Sequence, residues 1–569
     1  MIMQQYLFIF TIGPVQSFIA QARKTQDLYA GSQLLSDLID FAMKEVKSKG
    51  EIIFPFEGAK SKPNRFVANI SSDDIKQTGN NLQDAVKNKL LEIAKSSMGA
   101  TFNGIARLQL EDFLETYWTA IHYDENKNYN IQYKELERSL GAVKNFRDYN
   151  QFSEQGRKCS VNGFYNVLFY RRNDNEKDND EDLKKRKYLS SNSLIIRGSD
   201  GIGLGELQKG EGICGLTFLK RNYNATQKFP SVANIASMHI WQCEEVRDSV
   251  EFEKMLLCDG KKIETIDEFN GQLLFAENIT KEFFDQQDTK CTLECAEDSL
   301  RGLTQLIKKQ NLKFIKYYAA IVFDADDMGS KLSACNSIKE HQTLSQKLAE
   351  YADWAREYVN NGKGKAIYAG GDDFMGLLNL TTLFETIEEL RKEFGKRFVE
   401  EQMTFSAGIA IAHYKTPLGE VLNYARKMEH KAKDQKDKNS FGIAVMKHSG
   451  EVHETVLYWN NNLATSTKKG DWNTTYLSNT YKKLQEGVSP SFIKNLNEIL
   501  SVWEDDPNTF TAQSQHEIRR FIKRSSSGLD TTELVAEVTE LYKQVSIKTQ
   551  SNNYFINALN IADFINRKL

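Results

Sequence analysis

At 569 residues the chain is long enough for three or four domains. Charged side chains make up 27% and balance to −3, which excludes a global basic field for nucleic acid, and no apolar run reaches the roughly 18 residues needed to cross a membrane. Seven scattered cysteines, an odd number, suit a reducing cytoplasm rather than a disulfide framework.

Residues 1–130 open with an apolar strand, Gln5–Ile12, too short and too poor in basic residues to be a signal peptide. Phe18, Ala22 and Leu28, then Leu34, Leu35 and Ile39, recur at helical spacing, and Ser32 is placed to cap a second helix through Met43. Ile52–Phe54 and Arg65–Ile70 read as strands and Asn81–Lys95 as a helix. That order predicts a ferredoxin-like α+β domain. Arg23, Lys24 and Arg65 are candidates to meet phosphates, the plainer reading of each being a solvated surface charge.

Residues 131–300 read as an irregular insertion. The run 171–187 holds one apolar residue, Leu183, and is expected to be a mobile loop that buries no core. Cys159-Ser160-Val161-Asn162 and Cys214-Gly215-Leu216-Thr217 look like the halves of a C-x-x-C ribbon with the second cysteine of each replaced. Two cysteines with Asn and Thr are a poor zinc set, so no zinc is expected. Cys291 and Cys295 are expected as buried thiols on a helix.

Residues 301–450 carry the candidate chemistry. An apolar strand, Tyr317–Phe323, ends abruptly in Asp324. Ala366–Ala369 and Phe374–Leu378 flank Gly370-Gly371-Asp372-Asp373 and predict a β-hairpin. Leu344, Leu348, Tyr351, Ala355 and Val359 mark one helix face, and Leu383, Ile387, Leu390 and Phe394 another. A strand at Thr404–Ala412, a helix at Leu418–Lys433 and a strand at Phe441–Met446 complete a second ferredoxin-like β-α-β-β-α-β order. In that topology the end of the first strand neighbours the hairpin tip, so Asp324, Asp372 and Asp373 meet at one sheet edge. Three converging carboxylates repel at low dielectric unless a divalent cation neutralises them. Mg²⁺ takes one or two carboxylates plus substrate phosphates, which suggests two-metal phosphoryl or nucleotidyl transfer. Residues 451–569 show few strand signals and read as amphipathic helices in a bundle.

The chain resembles the Cas10/Cmr2 family, the large subunits of type III-B CRISPR effector complexes, nearly end to end. The resemblance is carried by GPVQSFIAQARKTQDLYAGSQLLS at 13–36, PNRF at 63–66, CGLTFLKRN at 214–222 and FPSVANIA at 229–236. DADDMG at 324–329, YAGGDDF at 368–374, SAGIAIAHYKTPL at 406–418 and HKAKD at 430–434 continue it. It implies two palm (cyclase-like) domains, a zinc-bearing or helical insertion between them, and a C-terminal helical domain. Many members also carry an N-terminal HD nuclease. Here the sequence starts at the first palm and none of its eight histidines precedes an aspartate, so that DNase activity is expected to be absent.

The resemblance implies synthesis of a nucleotide messenger from ATP, with pyrophosphate released, when guide RNA in the assembled Cmr complex pairs with target RNA. The product is a cyclic oligoadenylate or, in some members without the HD domain, an AMP conjugate of S-adenosylmethionine. Asp324, Asp372 and Asp373 are the expected catalytic carboxylates and, with the Ala325 carbonyl, the expected Mg²⁺ or Mn²⁺ ligands. Gly370 and Gly371 would let the backbone approach the nucleotide, and the N–H groups of Asp326, Asp327 and Met328 would cradle the triphosphate. Lys433 is expected at phosphates and Ser406 at ribose or phosphate, while His413 is expected to be structural. Two other readings stay open: a catalytically silent scaffold subunit, and a stand-alone GGDEF-like diguanylate cyclase.

Overall fold

The computed structural model describes residues 4–146, 153–173, 175–197, 207–223, 228–258, 267, 269–285, 292–460, 472–486, 488–503, 511–526 and 528–569. It is an α+β chain of two compact units, residues 1–228 with 329–350, and residues 229–328 with 351–569.

In the first unit β1 (Gln4–Gly13), β2 (Gly50–Phe54), β3 (Arg65–Ser72) and β4 (Glu115–His122) form one antiparallel sheet, ordered β2-β3-β1-β4. Leu7, Phe8, Ile9 and Phe10 of the central strand are fully buried, which is why β1 reads as a continuous apolar run. β4 was not expected from the sequence: most of its side chains are only half-buried at the sheet edge, so no clean alternation marks it. α1 (Gln16–Ala20) and α2 (Thr25–Lys47) follow β1, while α3 (Ile75–Met98), α4 (Gly104–Phe113) and α5 (Tyr129–Asn145) bracket β4. Ser32 is not a cap. It lies buried within α2, whose first turn is held instead by the Asp27 carboxylate, which accepts from the Arg23 and Lys24 amides at 3.3 Å each. Arg23 reaches Gln208 and Arg65 pairs with Glu137 at 3.1 Å, so both are engaged with protein groups.

The charged run 171–187 also departs from expectation. α6 (Asp180–Arg186) forms there, and Leu183 is fully buried against Val167, Tyr170 and Leu189. Acidic residues in its first turn, basic ones in its last, and an Asn179 cap suit the helix dipole, so one apolar anchor suffices. Strands β5 (Phe169–Arg171), β6 (Leu194–Ile196) and β7 (Gly212–Ile213) make a small sheet beside α7 (Gly215–Asn222).

The second unit opens with α8 (Val232–Gln242), α9 (Glu244–Arg247), α10 (Val250–Cys258), α11 (Lys281–Asp285) and α12 (Leu293–Lys309). Cys295 on α12 is exposed rather than buried, and Cys291 lies outside the described residues. β8 (Tyr317–Ala325), β9 (Gly364–Ala369), β10 (Asp373–Asn379), β11 (Phe405–His413), β12 (Ser440–Met446) and β13 (Val452–Tyr458) form a six-stranded sheet, ordered β13-β12-β11-β8-β10-β9. α13 (Met328–Leu332) and α14 (Ile338–Asn360) follow β8, α15 (Leu383–Arg397) follows β10, and α16 (Leu418–Lys433) joins β11 to the parallel strand β12. The segment after 451 begins with a strand, β13, before α17 (Asn473–Gln485), α18 (Ser491–Leu500), α19 (Thr511–Ser525), α20 (Thr532–Tyr542) and α21 (Asn552–Lys568). α21 docks on β13 through the Thr455 hydroxyl, which donates to the Tyr554 carbonyl at 2.7 Å.

Side-chain alternation divides this sheet's chemistry. On one face Phe323 stacks between Phe374 and Phe405, at centroid distances of 4.9 and 4.2 Å, above Tyr351 and Phe394. Asp324, one residue on, falls on the opposite face, which α16 covers.

Candidate active site

Asp324 and Asp373 are direct cross-strand partners in the β8–β10 ladder. The next pair, Ala325 and Asp372, is hydrogen-bonded, the Ala325 amide donating to the Asp372 carbonyl at 3.1 Å. The Asp324–Asp373 position is therefore of the non-hydrogen-bonded kind, in which opposed side chains come closest. The tip is a two-residue turn closed by the Gly370 amide on the Asp373 carbonyl at 3.0 Å. Its first residue, Gly371, has φ +94°, a conformation that favours glycine.

Burial, and then the charge of Asp372, raise the Asp324 carboxyl to about 6 against the pull of Lys433. Burial, then Asp324 and Asp372, push Asp373 well up. Lys433 bonds Asp324 and also pairs with Glu429 at 2.8 Å. Burial alone would lower the Lys433 ammonium, but Asp324 and then Glu429 outweigh it and hold it above the ordinary lysine value.

α16 brings three charged residues to this edge. Arg426, Glu429 and Lys433 fall at i, i+3 and i+7, beside the buried face made by Leu422, Ala425, Met428 and Ala432. The helix can approach this closely because β11 presents Gly408, where a Cβ would lie 1.9 Å from the Ala425 carbonyl oxygen and 2.3 Å from the Glu429 nitrogen. Arg426 adds a positive charge that acts on Asp373. Tyr368 is a further neighbour: its hydroxyl occupies the space a Cβ on Gly370 would need, 1.8 Å away. Burial, then Asp373 and Asp372, push that hydroxyl's pKa well up, so it stays neutral beside the carboxylates.

Two expected nucleotide contacts are corrected. Ser406 is fully buried, and its hydroxyl donates to Asp326 Oδ1 at 2.8 Å. Asp326 is itself turned inward, also accepting from the Thr404 hydroxyl at 2.7 Å and the Asn439 amide at 3.1 Å, and its own amide donates to the Thr404 carbonyl at 2.8 Å. A saturated inner knot cannot also cradle a triphosphate, so Asp326 and Ser406 support the end of β8 instead. Asp327 has φ +57° and pairs with Lys438 at 2.6 Å, and Met328 is buried at the start of α13. His413 is buried, accepts from the Lys415 amide at 3.2 Å and packs edge-on against Tyr317.

The sequence reading did not include Tyr368, Arg426 or Glu429. The signal was present in the helical register leading to Lys433 and in the alternation that puts Tyr368 on the face of Asp373. Among the described residues no three carboxylate, histidine or cysteine side chains form a finished metal cage. The opposed pair does fit a hard cation that completes its shell with substrate oxygens and water, since such a cation needs only one or two carboxylates.

The family model "Cas10/Cmr2, second palm domain" matches residues 317–442, which contain the whole cluster, and "CRISPR-associated protein Cmr2, N-terminal" matches residues 7–95. The chain is 24% identical to the CRISPR system Cmr subunit Cmr2 of Pyrococcus furiosus over 544 residues, covering 79% of this chain and 62% of that protein. A 151-residue stretch is 26% identical to the subtype III-A single-strand-specific deoxyribonuclease Cas10/Csm1 of Streptococcus thermophilus, covering 25% of this chain and 20% of that one. Cryo-EM structures of type III-B Cmr-beta are similar in fold over 99% of this chain: the apo state at TM-score 0.68 and 13% identity, covering 82% of its own chain, and the state bound to cognate target RNA at 0.64 and 14%, covering 83%.

Proposed function

The chain belongs to the Cas10/Cmr2 family, and from that premise we propose that it is the large subunit of a type III-B antiviral complex and a metal-dependent nucleotidyltransferase that makes a messenger from ATP. The strand orders β2-β3-β1-β4 and β9-β10-β8-β11 support reading both sheets as ferredoxin-like palms. The partners under this reading are other Cmr subunits, guide RNA and target RNA. The single observation that carries the chemistry is the Asp324–Asp373 opposition, with the Lys433 ammonium bonded to Asp324.

Asp324, Asp372 and Asp373, with the Ala325 carbonyl, would hold Mg²⁺ or Mn²⁺. Such ions supply activation of the attacking oxygen and shielding of the leaving pyrophosphate. Lys433 then exchanges its bond to Asp324 for the nucleotide phosphates, while Glu429 keeps the ammonium within reach. The tip, with no side chain at Gly370 or Gly371, lets the triphosphate lie close to the backbone. Arg426 offsets the charge left on Asp373. Catalysis here is positioning and charge neutralisation, with no dedicated general base. The acceptor is the 3′-hydroxyl of a second ATP, giving a cyclic oligoadenylate, or S-adenosylmethionine, giving its AMP conjugate.

Mass spectrometry of products tests this reading. The complex with target RNA is incubated with ATP and Mg²⁺ or Mn²⁺, with and without S-adenosylmethionine. A 3′–5′ adenylate or an AMP conjugate is expected. Unchanged ATP would point to a silent scaffold, and turnover of GTP by the isolated chain to a diguanylate cyclase.

A further inference from the structure

The first unit holds a second chemical cluster that this reading does not use. The two ribbon halves seen in the sequence do meet. Cys159 and Cys214 are both buried, and each sulfur lies 3.4 Å from the same Thr217 hydroxyl. Asn162 donates its Nδ2 to Cys214 Sγ at 3.0 Å, while its Oδ1 accepts from the Phe164 amide at 3.0 Å. All four former ligand positions are thus in one place, but the set does not fit zinc. The amide presents hydrogens rather than a lone pair to the centre, and only two soft donors remain.

What remains is an asymmetric pair of thiols. The Cys214 thiol beside it, then the Thr217 hydroxyl and the Val161 amide, which donates to its sulfur at 3.5 Å, draw the Cys159 thiol below its usual pKa against the effect of burial. Cys214 caps α7, and burial pushes its thiol well up. The downward pull on one sulfur and the upward push on its neighbour match the division of labour between an attacking and a resolving cysteine. The turn that follows Cys159, Ser160–Phe164, carries Phe164 at 68% exposure.

We propose that Cys159 and Cys214 are a redox-responsive dithiol that hydrogen peroxide closes to a disulfide. The Cys159 sulfur attacks one peroxide oxygen. The S–O bond forms as the O–O bond breaks, and the departing hydroxide takes up a proton to become water. The Cys214 sulfur then attacks the Cys159 sulfur, and the oxygen leaves as a second water, carrying the Cys214 proton. Two electrons pass from the sulfurs to the peroxide, and an added dithiol reverses the change. The new bond would tie the 159–165 turn to the start of α7. That helix carries Lys220, which donates to the Ile19 carbonyl at 3.1 Å, and Arg221, which pairs with Asp27 at 3.3 Å, so the change would reach α1 and α2.

The full chain, treated with peroxide, is alkylated in denaturant, digested and weighed. A Cys159–Cys214 cross-linked peptide, lighter by two hydrogens and lost on adding dithiothreitol, is expected. In Cys214→Ser, Cys159 is expected to accumulate as a sulfenic acid that dimedone traps. The proposal is overturned if both thiols stay alkylatable under peroxide that oxidises the exposed Cys295. It is equally overturned if Cys159 is over-oxidised while Cys214 stays free, or if purified protein holds stoichiometric zinc on the pair. Should the serine variant not fold, the wild-type digest decides alone.

Discussion

Asp324 and Asp373 stand directly across from one another in neighbouring antiparallel strands, and the Lys433 ammonium is bonded to Asp324. A folded chain that sets two carboxylates at the closest kind of cross-strand position keeps a cost in place there. Lys433 meets part of that cost and a divalent cation would meet the rest. Replacing Lys433 with Met should lower the stability of metal-free protein by about 1 kcal/mol, as for like charges left opposed. Mn²⁺ should recover most of the loss. Thermal melting with and without Mn²⁺ measures both.

Glu429 separates two roles of Lys433. In Glu429→Gln the ammonium keeps Asp324 but loses its 2.8 Å tether. Under the proposed exchange, the KM for ATP should rise several-fold while kcat changes little, because the phosphates lose a positioned cation rather than a reacting group. Steady-state kinetics of the assembled complex reads the split.

The pH dependence follows from Asp324, whose carboxyl is raised by burial and then by Asp372 from 3.8 to about 6. A carboxyl that holds its proton more tightly when folded stabilises the fold below its unfolded pKa. That contribution is lost as pH rises through about 6. Melting temperatures of metal-free wild type, relative to Asp324→Asn, should therefore fall from pH 4 to pH 7. Mn²⁺ affinity should rise over the same interval.

Ser406→Ala distinguishes the inner knot from a nucleotide contact. The hydroxyl is one of three donors to the buried Asp326 carboxylate. Its loss should cost about 1.5–3 kcal/mol of stability, the range for hydrogen bonds to charged groups. The KM for ATP should be unchanged at temperatures where the variant is folded. A raised KM at full stability would return Ser406 to the nucleotide.

Gly408→Ala tests how α16 delivers its charges. The new methyl would meet backbone, the Ala425 carbonyl oxygen at 1.9 Å, so the helix must move outward. About 1–3 kcal/mol of destabilisation is expected from the overpacking. Product formation should also fall, because Glu429 and Lys433 move with the helix. Chemical denaturation and product yield check the two effects.

Much of this site was legible in the sequence because strand alternation and connection order are local signals. An apolar run ending at Asp324 and a glycine-rich hairpin fix which carboxylates share an edge, and Leu418–Lys433 matches α16 at both ends. What escaped depended on tertiary packing. Glu429 matters only because Gly408 admits the helix, and no local pattern announces that approach. Asp326 has the same residue type as its neighbours but turns inward, since Thr404, Ser406 and the Asn439 amide saturate it. The 171–187 run was misjudged because one leucine with matched helix ends is enough when Val167, Tyr170 and Leu189 already form a pocket.

The most direct measurement is pyrophosphate release from labelled ATP by the assembled complex loaded with target RNA, comparing wild type with the Asp372→Ala, Asp373→Ala double variant. The account predicts release from wild type, and loss on the order of 10³-fold or more in the variant with assembly intact, as expected when the charge-neutralising groups of a phosphoryl transfer are removed. Release at the wild-type rate from the variant would contradict it.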